Sequence, residues 1–113
     1  MFITKIKNTI CILLCILSFS LYSQNVPPSI SDPEVLKETQ IERQRVFDSI
    51  IEDPTNLENL FNYANLSILV GDLEAAIGIF EQMLIYKPDL PRIKLELGVL
   101  YFRLGAYASA KRY

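Results

Sequence analysis

Catalysis needs nucleophiles, acids and bases or metal ligands, and this sequence supplies few of them. Its 113 residues contain no histidine, and the two cysteines, Cys11 and Cys15, lie within one apolar run near the start. If that run is removed on export, the mature chain has neither imidazole nor thiolate. The usual nucleophiles and the usual zinc and iron ligands are then missing. No glycine-rich phosphate loop follows a strand pattern. The neighbouring carboxylates Glu52 and Asp53 stand where a helix should give way to a turn, a place where acids are simply solvated. Asn65-Leu66-Ser67 fits the N-glycosylation acceptor pattern but falls inside a helical stretch, so it carries little weight. No catalytic, cofactor-binding or metal-binding residue is expected, and what remains is a surface for contact with other molecules.

The apolar run reads as part of a leader. Lys5 and Lys7 precede an apolar core over residues 10–17, and Ser18, Ser20 and Ser23 follow it. This is the pattern of a secretory signal peptide, assigned here to residues 1–23. A membrane anchor is the alternative, but a span needs ~20 predominantly apolar residues, and the serines interrupt the run early. Two cut sites remain open, after Ser20 and after Ser23. Leu13 and Leu14 before Cys15 do not suit a lipoprotein cysteine. Without Lys5 and Lys7, nine basic residues face thirteen acidic ones with no basic block, so nucleic acid and anionic membrane surfaces are not expected partners. An exported, periplasmic protein is the expectation.

Residues 24–31, with Pro27, Pro28, Ser29 and Ser31, read as an extended linker. Asp32-Pro33-Glu34 reads as a helix start: an N-cap, a proline at the first helical position and an acid at the positive helix end. A leading helix is expected over 32–52, with Val46, Phe47, Ile50 and Ile51 at helical spacing on one face. From Asp53 the chain repeats itself. Pro54 and Pro88, Gly71 and Gly105, Ala76 and Ala110, and Leu73 and Tyr107 are each 34 residues apart, a period that signals stacked helix-turn-helix units. Thr55 and Glu58 suggest a capping box for the first helix of the unit. Gly71 suits a left-handed helix end, and Asp72 can cap the helix that follows. The expected fold is all-α.

The stretch 53–113 resembles the tetratricopeptide repeat, a helix-turn-helix unit. Counting from Leu57, the family's favoured positions hold Leu60, Tyr63, Ala64, Ala76, Phe80 and Pro88. Counting from Pro91, they hold Leu97, Gly98, Tyr101 and Ala110. Ser67, Met83 and Lys94 depart from the pattern and suggest looser packing. The small residues have a physical reason: Gly98 costs a helix about 1 kcal/mol, which a close crossing against Ala110 offsets. The second unit stops about eleven positions before such a unit would close. Because stacked units stabilise one another, further repeats or another domain are expected beyond Tyr113.

What the resemblance implies is a binding groove lined by the first helix of each unit. The corresponding residues here are Glu58, Phe61, Asn65 and Ile68, then Arg92, Leu95, Val99 and Phe102. Mixed apolar and polar groups of this kind suit an extended peptide or a helix of a partner protein; the alternative is that several of them pack against a neighbouring repeat or the leading helix. A lysine-asparagine clamp for a C-terminal carboxylate is not evident, since Phe61 stands in a clamp-like place. The expectation is a scaffold or adaptor that binds a protein partner, not an enzyme. A second reading starts from residues 89–105, which look like a stretch of some bacterial outer-membrane proteins. In the surface lipoprotein assembly modifiers, periplasmic repeats precede a β-barrel. The chain would then be the soluble arm, with a domain beyond Tyr113 providing association with the outer membrane.

Overall fold

A computed structural model describes residues 30–113. The leader assigned to residues 1–23 and most of the 24–31 linker lie outside the described residues. Among the described residues, five helices pack in sequence order: α1 (Pro33–Glu52), α2 (Leu57–Leu69), α3 (Leu73–Tyr86), α4 (Pro91–Arg103) and α5 (Tyr107–Ala110). Among the described residues there is no strand, and no helix is long and apolar enough to cross a membrane.

Local chemistry places the helix ends. Asp32 caps α1 by accepting from the Glu34 backbone N–H at 2.8 Å, with Pro33 at the first helical position. Asp72 caps α3 by accepting from the Ala75 N–H at 3.2 Å. For α2 the cap is Asn56, which accepts from the Asn59 N–H at 3.0 Å. The Thr55–Glu58 box expected from the sequence does not form. The Thr55 hydroxyl donates instead to Asp53 at 3.2 Å, and Asn56, one residue closer to the helix, does the capping. At the other end, Gly71 and Gly105 adopt φ of 84° and 73°, the left-handed conformation that lets the chain double back. Behind each glycine the next N–H closes the cap: Asp72 donates to the Ser67 carbonyl at 2.8 Å, and Ala106 to that of Tyr101 at 2.9 Å.

The 34-residue period governs the backbone as well as the sequence. Helices α2 and α4 begin and end 34 residues apart, and α3 and α5 begin 34 apart. Helix α1 obeys the same register, ending 34 residues before α3. The cap bonds match too, from the Asp53 N–H to Ser49 at 3.0 Å and from the Lys87 N–H to Met83 at 2.8 Å. The second half of α1 therefore stands to α2 as α3 stands to α4. Its sequence conceals this, because Glu42, Val46 and Ser49 occupy the places of Ala76, Phe80 and Met83.

The core is one cluster running through the stack: Ile50 from α1, Leu60 and Ala64 from α2, Leu73, Ala76, Ile77, Phe80 and Met83 from α3, and Ile93, Leu97 and Leu100 from α4. Phe80 is fully buried, as are Ala64 and Ala76, consistent with small residues at the helix crossing. Gly98 faces Ala110, but a Cβ added to it would stand 3.7 Å from the Ala110 carbonyl oxygen, an ordinary contact distance, so the crossing is not close enough to require glycine. Two of the three departures from the repeat pattern do not loosen the packing: Met83 is buried, and Ser67 is fully buried with its hydroxyl paired.

Candidate functional site: the first-helix face of the stack

Helices α2 and α4 are the first helices of successive units, and their shared face carries the eight residues expected to line a groove. Its two halves differ. On α2, Glu58 is exposed, while Phe61, Asn65 and Ile68 are half-buried. The Phe61 ring lies 6.0 Å from that of Phe80, and the Arg92 guanidinium covers it from α4 at 5.8 Å. A cation over an aromatic face at this distance contributes ~0.5–1 kcal/mol where water can reach it. Arg92 also donates to Glu96 at 3.0 Å, one helical turn on. Phe61 and Arg92 therefore link α2 to α4.

On α4 the same face is bare. Leu95 is 64% exposed, Val99 48% and Phe102 64%. These three line a depression of about 330 Å³ whose far wall is Ala110 and Tyr113 and whose rim includes Lys94. Phe102 also borders a second hollow of about 260 Å³ with Tyr107 and Lys111, and its ring lies 5.3 Å from that of Tyr107. The structure thus gathers Leu95, Val99 and Phe102 into one apolar surface. Glu58, Asn65 and Ile68 do not line it. Sequence reasoning missed Lys94, Tyr107 and Tyr113. Tyr107 shares its register position with Leu73, which is 3% exposed, whereas Tyr107 itself is 59% exposed. That contrast needed coordinates.

One polar cluster sits at the edge of this surface. The Tyr101 hydroxyl donates to a Glu81 carboxylate oxygen at 2.6 Å, and Tyr113 donates to the same oxygen at 3.3 Å. The two tyrosine rings stack with centroids 6.0 Å apart. The hydrogen bond to Glu81, then burial, raise the Tyr101 hydroxyl to about 12. Burial, then the nearby Glu81 charge, raise that of Tyr113. A phenol that must surrender its proton beside a carboxylate resists ionising, so the two phenols stay protonated and clip the C-terminal turn onto α3 through Glu81. Among the described residues, no group of three or more His, Cys, Asp or Glu could hold a metal ion.

Helical pairs stacked in a 34-residue register define an α-solenoid-like helical repeat. Residues 67–113 match the family model of the tetratricopeptide repeat. No curated protein and no solved structure matches the chain.

Proposed function

We propose that this protein is a scaffold that binds a protein or peptide partner across the α4 end of its first-helix face. Tetratricopeptide repeats commonly mediate protein–protein contacts and generally serve as non-enzymatic scaffolds. One observation supports this location: Leu95, Val99 and Phe102 lie side by side on one helix, about half exposed or more. Contiguous exposed apolar side chains mark interaction sites far more often than isolated ones do. Lysines at the rim favour acidic residues flanking the partner's apolar contacts, which would affect encounter rate more than final affinity.

The test is capture by the full chain from an extract of its own cells. Phe102→Ala should weaken capture of the partner about tenfold, which corresponds to ~1.4 kcal/mol, with helicity and melting temperature nearly unchanged. Capture unaffected by Phe102→Ala and Leu95→Ala would remove the site. A periplasmic setting belongs to the same proposal and rests on the basic start and short apolar core of residues 1–23. N-terminal sequencing of the mature protein tests it, and a start at Met1 would contradict it.

A further inference from the structure

We infer that Arg43, Ser67 and Asp72 form a key that fixes α1 against the α2–α3 pair and no other. The Arg43 guanidinium reaches across from α1, donating to the Asp72 carboxylate at 2.9 Å and lying 3.5 Å from the Ser67 hydroxyl. It also covers the Tyr63 ring at 5.7 Å. Ser67 is fully buried, and it stands where the second unit has Tyr101. A small residue there leaves space for the arginine, and its hydroxyl gives the arginine an acceptor.

The equivalent interface one repeat later is built from different parts. In the 34-residue register Arg43 corresponds to Ile77, Phe47 to Glu81, Ser67 to Tyr101 and Asp72 to Ala106. There Ile77 is buried, the Tyr101 ring fills the space, and its hydroxyl goes to Glu81. In the first interface Phe47 meets Tyr63 at 5.6 Å. The four positions differ together between the two interfaces. Stacked units of like shape risk pairing one repeat out of place or exchanging helices between chains. A slip of one unit would set Arg43 against Tyr101 with alanine in place of Asp72, leaving the cation without its carboxylate. It would also deprive Asp72 and Ser67 of their partner. The key therefore specifies order along the stack, while a partly exposed ion pair of this kind adds little raw stability.

The test is a substitution cycle in the full chain. Arg43→Ile and Ser67→Tyr should each lower the melting temperature by about 4–8 °C. The combination Arg43→Ile, Ser67→Tyr and Asp72→Ala copies the second interface into the first and should recover most of that loss. The recovered variant should lose uniqueness: the Phe47–Tyr63 ring contact, followed by nuclear Overhauser effects, should split into two sets of signals, or a concentration-dependent dimer should appear. If Ser67→Tyr does not fold, Arg43→Met and Asp72→Asn give an equivalent cycle, in which the double variant should lose no more than the worse single. Additive losses would overturn the inference. So would a triple variant that remains a monomer with one set of signals.

Discussion

The two repeat units use the same positions to opposite effect. In the unit of α2 and α3, Leu60, Ala64, Ala76 and Phe80 have no exposed surface, and Phe61 is shielded by Phe80 and Arg92. In the unit of α4 and α5, Lys94 stands where Leu60 does and is half-buried. Leu95, in the place of Phe61, is mostly exposed. Helix α5 brings only its short turn, with Ala110 and Tyr113, to the wall that the middle of α3 builds in the first unit. A repeat position thus has no fixed burial. Its exposure depends on what the next helix lays over it.

The sharpest way to break this contrast is to cut into the first unit. Phe80→Ala removes a fully buried ring and should cost ~3–5 kcal/mol, measured by urea unfolding. A loss near that of an exposed residue would mean that α3 is not the centre of the stack. Next come the paired alanines. Ala76→Leu should overpack its crossing by ~1–3 kcal/mol. Ala110→Leu, at a half-buried site beside the depression, should cost less than half of that, and equal melting curves would erase the difference between the units. Gly71→Ala and Gly105→Ala should each cost ~1–2 kcal/mol, since both glycines sit at positive φ.

The smallest effect is on pH dependence. Tyr101 is raised from 10 in the unfolded chain to about 12 in the fold, so the folded state holds the proton more tightly. Its contribution is complete below pH 10 and is lost as pH rises from about 10 to about 12. Unfolding free energy measured across that window should fall in the native chain and fall less in Tyr101→Phe. Identical slopes would separate the Tyr101–Glu81 hydrogen bond from the stability of the second unit.

Much of the fold was legible because its punctuation is local. Gly71 and Gly105 adopt a conformation that other residues avoid, and Pro54 and Pro88 follow helix ends, so the period can be read from residue type alone. The register of α1 was hidden, since Glu42, Val46 and Ser49 share no residue with Ala76, Phe80 and Met83. It emerges only from where the helices stop. Ser67 looked like a defect because the arginine that justifies it comes from 24 residues away. Of the candidate surface, Leu95, Val99 and Phe102 followed directly from the register. Phe61 occupied the same kind of position but was claimed by Phe80 and Arg92, a long-range outcome that spacing cannot show.

The most direct test of a binding face on α4 is site-specific photo-crosslinking in living cells, with a photoreactive phenylalanine placed at position 102 or at position 85. Ile85 is the more exposed of the two, 78% against 64%, but it lies on α3, outside the first-helix face. A binding face on α4 should give a discrete crosslinked partner from position 102 and little or none from position 85. Equal crosslinking from both, or a partner seen only from position 85, would contradict it.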